Sequence, residues 1–191
     1  EKLMKAISKS LKKNDPNHLN LGIRYGYIEQ LDDELLRISK ESFDALSFNC
    51  YALSPDHEKM NHALEISGLP MIIGEYHFGT VDRGLAQSLW QVNSQKERGD
   101  AFQYYTENAF AHRGLIGTGW FRWIDQNING RTDGENYNCG FIDVTDRPYP
   151  YMVDAAIEAA KSLYEIHSGT KTPFHQAPNA VGHSPIPDLW E

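Results

Sequence analysis

The sequence predicts an α/β fold: four βα units, half of a (β/α)8 barrel. Three observations point that way. Short apolar runs alternate with longer segments of helical periodicity, the pattern of parallel strands joined by crossover helices. The run Met71-Ile72-Ile73 is apolar at successive positions, as suits a strand covered on both faces. The longest irregular segments follow the third and fourth strands, and in a barrel the loops after the strands form the working face. The same four units would also build a small doubly wound sheet.

The elements are read in order. Leu3, Ile7 and Leu11 share one face of a first helix, which Asn14-Asp15-Pro16-Asn17 ends. Residues 18–24 alternate as a first strand ending at Arg24. Asp32-Asp33-Glu34 opens a short helix carrying Leu35, Leu36 and Ile38, its acids favoured by the positive helix end. Residues 43–49 form the second strand. Residues 56–67 form a helix stopped by Gly68 and Pro70. The third strand covers 71–75, a loop covers 76–91, and a helix over 94–112 carries Phe102, Tyr105 and Phe110. The fourth strand is 115–121 and a polar loop runs over 125–147. Pro148 opens a last helix with Met152, Ala156, Ala159, Leu163 and Ile166 on one side, closed by Gly169. The four units fill residues 1–169, and the Pro-rich tail, 170–191, is expected to lie as an irregular strap or to stay mobile.

Composition narrows the function. The 191 residues are enough for one ordinary domain. A net charge of −8 argues against a nucleic-acid partner, which needs a basic face. Aromatic content of 12% suits sugar binding as well as core filling. Cys50 and Cys139 form neither a disulfide framework nor a paired metal site. No apolar run is long enough for a membrane span. The chain opens Glu1-Lys2-Leu3-Met4-Lys5, without a signal peptide and already in helical spacing, so a piece of a longer or processed protein is expected.

Every predicted strand ends in a residue able to act on a substrate. These are Arg24; Asn49 with Tyr51 beyond it; Glu75 with His77 beyond it; and Trp120 and Trp123, followed by Asp125 and Gln126. A carboxylate at the end of an apolar strand needs a partner or a task. Each residue also has a plainer reading. Arg24 could pair with Glu29, Asn49 could cap a turn, His77 could be a hydrogen-bonded loop residue, and Tyr51, Trp120 and Trp123 could be core aromatics. The loop 127–136 lacks calcium-loop spacing, and His57 and His62 lie in no zinc motif, so no metal is expected. No Gly-rich phosphate loop and no G-x-S-x-G elbow is present, and no cofactor is expected.

These strand ends resemble those of retaining (β/α)8-barrel glycoside hydrolases, in which a nucleophilic Glu ends the seventh strand and a Trp the eighth. Pro70 to Glu75 is similar to that seventh strand, Gly119-Trp120 to the eighth, and Asn49-x-Tyr51 to the sixth. Longer strings resemble the family 50 β-agarases. They are Gly74-Glu75-Tyr76-His77-Phe78-Gly79-Thr80-Val81-Asp82-Arg83-Gly84, Trp120-Phe121-Arg122-Trp123-Ile124-Asp125-Gln126 with Gly130 to Tyr137, and residues 18–24 and 143–150. The resemblance runs over about residues 15–164.

The resemblance implies retaining hydrolysis of β-1,4 galactosidic bonds in agarose or its oligosaccharides. Glu75 is implied as nucleophile and Tyr51 as its orienting partner. Arg24, Asn49, His77, Trp120, Trp123, Asp125, Gln126 and Arg131 are implied as substrate contacts, with Arg24 and His77 binding hydroxyls or keeping Glu75 ionised. The family's acid/base Glu falls upstream of this chain, so the chain alone is expected to be inactive. Its partner would be the N-terminal half of the barrel or a second copy. The family suggests a secreted or periplasmic bacterial protein. Two alternatives stand beside this one: a non-catalytic carbohydrate-binding half-barrel that assembles with a partner chain, and a β-galactosidase-like barrel of other specificity. A doubly wound domain binding a phosphorylated ligand is disfavoured by the missing Gly-rich loop and the acidic charge.

Overall fold

In the computed structural model, which describes residues 1–182, the elements run α1 (Lys2–Asn14), β1 (Arg24–Tyr25), α2 (Asp33–Ser42), β2 (Leu46–Asn49), α3 (His57–Ser67), β3 (Met71–Tyr76), β4 (Trp90–Gln91), α4 (Gln95–Phe110), β5 (Leu115–Trp120), α5 (Pro150–His167) and β6 (Val181–Gly182). They fall into two units. The first comprises Glu1–Cys50, Asp56–Glu75 and His112–Gly119; the second comprises Tyr51–Pro55, Tyr76–Ala111 and the described chain from Trp120 onward.

The first unit holds the main sheet, in the order β1-β2-β3-β5. Pairing is parallel between β1 and β2 and between β2 and β3. The strands follow one another in chain order, without the reversal that defines a doubly wound sheet. Leu46, Phe48, Met71 and Ile73, at alternate positions of β2 and β3, are fully buried. Helix starts are set by side chains. Asp32 accepts the Leu35 N–H at 2.8 Å, and Asp56 accepts those of Glu58 and Lys59. Gly68 ends α3 in the left-handed region at φ +67°.

One expectation is corrected in this unit. The first strand does not cover residues 18–24; only Arg24–Tyr25 pairs. Gly22 adopts φ +74°, which breaks the extended run, and Asn20 is tied through its N–H to the Asp44 carboxylate at 2.6 Å. The Leu3, Ile7 and Leu11 stripe of α1 is exposed and buries no residue. Lys5 pairs with Glu41 at 2.5 Å and Lys12 with Asp44 at 2.6 Å.

The second unit is built on α4 packed against α5. Contact is close at Gly99, where a Cβ would sit 2.5 Å from the Tyr151 carbonyl oxygen. Tyr76 stacks on Tyr105 at 4.0 Å and meets Trp120 edge-on at 5.2 Å, giving the unit an aromatic core. Part of the expected loop over 76–91 is the strand β4, which pairs antiparallel with β6 from the tail. The tail is also fixed to α4. The Phe174 N–H donates to Glu107 Oε2 at 2.7 Å, and Asn108 Nδ2 donates to the Phe174 carbonyl at 3.0 Å. The remainder of the expected strap, 183–191, lies outside the described residues. No helix among the described residues is long and apolar enough to cross a membrane.

Candidate active site

In the first unit, Glu75 stands at the carboxyl end of β3 with a donor on each oxygen. Arg24 Nη2 lies 2.9 Å from Oε1, and Asn49 Nδ2 donates to Oε2 at 3.0 Å. The Glu75 side chain is 17% exposed, so it is shielded yet reachable. The pairing register explains how three strands deliver these groups to one spot. Arg24 pairs with Ser47, and Phe48 with Ile73, but the next pair is Asn49 with Glu75, one residue out of step. That irregularity brings Glu75 level with Asn49 where regular pairing would place Gly74, which is how a bulge re-aims a side chain. Glycine at position 74 leaves room for both side chains. A Cβ there would lie 2.5 Å from Arg24 Cδ and 3.2 Å from Asn49 Oδ1, closing the space both side chains use to reach the carboxylate.

Asn49 differs from its expected role. Its Nδ2 is on Glu75 and its Oδ1 is buried, with no hydrogen-bond partner among the described residues, so the amide acts on the carboxylate and not on solvent. The Arg24 side chain is 55% exposed, leaving guanidinium donors open for a ligand hydroxyl. Tyr27, just past β1, was missed. Burial raises its phenol pKa, and the charges of Glu75 and then Glu29 raise it further, so the ring sits within the field of the carboxylate.

The remaining predicted residues belong to the second unit. Tyr51 is buried, meets His77 edge-on at 4.8 Å, and accepts the Trp90 indole N–H on its backbone carbonyl at 2.9 Å. Both nitrogens of His77 are taken. Nδ1 donates to the Phe121 carbonyl at 3.0 Å, and Nε2 accepts the Leu89 N–H at 3.1 Å. The expected hydroxyl contact has no ring nitrogen left to make it. The expected positive charge is absent as well: burial drives the pKa from 6.5 to about 3, against the pull of the Phe121 carbonyl, so the ring is neutral near pH 7.

A pH prediction follows. The unfolded chain binds a proton at this position near pH 6.5 and the native fold does not. This contribution to stability is therefore complete above pH 6.5 and is lost as the pH falls toward 3, by about 1.4 kcal/mol per unit. Denaturant midpoints measured from pH 6.5 down to about 5 should fall more steeply in the wild type than in His77→Gln. Equal slopes would count against it.

Asp125 and Gln126 are also turned inward, against expectation. Asp125 Oδ2 accepts the Tyr149 hydroxyl at 2.6 Å and Oδ1 accepts the Gly140 N–H at 2.7 Å, while Asn138 Nδ2 reaches both oxygens. Gln126 donates to Glu135 Oε2 at 2.7 Å and accepts the Tyr137 N–H at 2.7 Å. Both residues are buried, and their polar atoms serve the loop. Arg131 lies between Asp133 at 2.6 Å and Glu135 at 3.2 Å. Trp120 is half-buried, with its indole N–H on the Cys139 carbonyl at 2.7 Å. Trp123 is 68% exposed and stacks on Phe141 at 5.8 Å, leaving its outer face open. Among the aromatics predicted to grip a sugar, Trp123 has the freest face.

Comparison with known proteins supplies context. No family model matches the chain. Beta-agarase A of Vibrio sp. (strain JT0107) is 36% identical over 165 residues, which is 83% of this chain and 16% of that protein. The solved structure of PfGH50B superposes with a TM-score of 0.82 at 36% identity, covering 87% of this chain and 24% of the other. An exo-beta-agarase superposes with a TM-score of 0.80 at 34% identity, covering 87% and 22%. The chain thus spans about one sixth of the length of the curated relatives it matches.

Proposed function

We propose that this chain, which is related to a segment of the GH50 β-agarases, supplies the nucleophile of a retaining glycoside hydrolase acting on β-1,4 galactosidic bonds of agarose or its oligosaccharides. The observation that carries the reading is the Glu75 carboxylate. It is held at a parallel-strand end by Arg24 and Asn49 and is still accessible. Retaining hydrolysis needs such a group to attack the anomeric carbon, expel the leaving oxygen and form a glycosyl ester, which water then hydrolyses. Arg24 and Asn49 hold the two carboxylate oxygens and fix the direction of attack. Tyr51 as an orienting group, and Trp120 and Trp123 as faces for sugar rings, come to the proposal from the resemblance.

The second carboxyl group, the acid/base, is placed in a part of the longer protein upstream of this chain. Residues 1–169 would then be the C-terminal half of a (β/α)8 barrel. The sheet supports that reading: its strands keep chain order, and Leu19, Leu21 and Ile23 are exposed beside the edge strand β1, an edge that calls for covering. The resemblance points to a secreted or periplasmic protein. The stereochemistry tests the function. Proton NMR of an agaro-oligosaccharide digest by the full-length protein should show the β-anomer first, before mutarotation. First appearance of the α-anomer, or no cleavage, contradicts the proposal.

A further inference from the structure

Arg98 lies in the first turn of α4 and is completely buried, an unusual place for a guanidinium with no task assigned to it. Its two terminal nitrogens each donate to a backbone carbonyl, Nη1 to Asn138 at 3.2 Å and Nη2 to Gly140. The residue between those carbonyls is Cys139, and its own carbonyl accepts the Trp120 indole N–H at 2.7 Å. The guanidinium is seated on the Tyr149 ring, 4.4 Å from its centroid. The Tyr149 hydroxyl reaches Asp125, which takes the Gly140 N–H from the other side. Residues 138–140 are therefore held from both sides, and the carbonyl that anchors Trp120 is at their centre.

We propose that Arg98 is a positioning residue: by gripping the carbonyls on either side of Cys139, it fixes the anchor of the Trp120 indole and so the orientation of that ring toward a sugar. The inference rests on the reading of Trp120 as a sugar-binding face. It also explains the residue type. Two carbonyls flanking one residue need two donors at a fixed spacing, which a guanidinium fork has and a lysine ammonium lacks.

The test uses the full-length protein with 5-fluorotryptophan, its Trp120 resonance assigned by Trp120→Phe. Arg98→Lys keeps the buried charge beside Asp125 and removes the fork. The 19F signal of Trp120 should shift or broaden, and kcat/KM for an agaro-oligosaccharide should fall on the order of 10-fold to 100-fold at a temperature where the variant is folded. Should the lysine variant fail to fold, Arg98→Met combined with Asp125→Asn is compared with Asp125→Asn alone, so that the change read is that of the lost fork, and the same changes are expected between the two. A purely structural Arg98 would lower the melting temperature and leave the Trp120 resonance as in the wild type, and that result overturns the proposal. If the resonance changes while Trp120→Phe itself leaves oligosaccharide KM and kcat intact, the clamp stands and the sugar-face reading of Trp120 falls.

Discussion

Glu75→Gln in the full-length enzyme is expected to lower kcat by at least about 10⁴-fold while oligosaccharide binding, measured by calorimetry, stays within about tenfold of the wild type. The amide has the size of the carboxylate but cannot form a stable ester with the anomeric carbon. It also leaves an imprint on the fold. Two donors, from Arg24 and Asn49, converge on Glu75, and a glutamine offers them a single acceptor oxygen. One donor then faces an N–H group. A small loss of stability should therefore accompany the loss of turnover, and Glu75→Ala should behave likewise in turnover. Near-normal kcat in Glu75→Gln would remove the nucleophile from the account.

Asp125→Ala is expected to be the most damaging single change to the fold, costing about 3–5 kcal/mol in denaturant unfolding. The carboxylate is buried and receives hydrogen bonds from Tyr149, Asn138 and the Gly140 N–H. Its negative charge also raises the Arg98 pKa, partly offsetting the burial that lowers it. Removing it leaves a buried guanidinium less compensated and three donors unmatched. The same charge, after burial, pushes the Tyr149 phenol pKa upward, so that hydroxyl keeps its proton and remains a donor to Asp125. Arg131→Ala makes a useful contrast. Its ion pairs with Asp133 and Glu135 lie at the surface, and their loss should cost about 0–1 kcal/mol. A cost at Asp125 no larger than at Arg131 would show that the buried cluster has been misread.

The legible parts of this sequence were those governed by local rules. The strand from Met71 announces itself as an apolar run, and the helices begin at Asp32, Asp56 and Ser94 as read, each of those side chains capping its helix in the structure. Glu75 was legible because a carboxylate ending a buried strand is conspicuous. Tyr27 was missed because the first strand was placed too early. Gly22 gives no sign in the sequence that it takes a positive φ, and a strand at Arg24–Tyr25 would have put Tyr27 among the residues beyond a strand end. Arg98 was missed for a different reason. Lys96-Glu97-Arg98-Gly99-Asp100 reads as a solvated helix face, and the carbonyls that bury Arg98 arrive from a loop far along the chain. Asp125, Gln126 and His77 show the same limit from the other side. Polarity near a strand end marks a hydrogen-bonding residue, but whether its partner is a sugar or the protein's own backbone is decided by tertiary structure.

A covalent trap tests the central claim most directly. Full-length enzyme would be incubated with a 2-fluoro galactoside bearing a good leaving group, which slows the second step more than the first, and the digest analysed by tandem mass spectrometry. The account predicts loss of activity with a single label, carried by Glu75. Inactivation with the label on another carboxylate, and Glu75 unmodified, would contradict it.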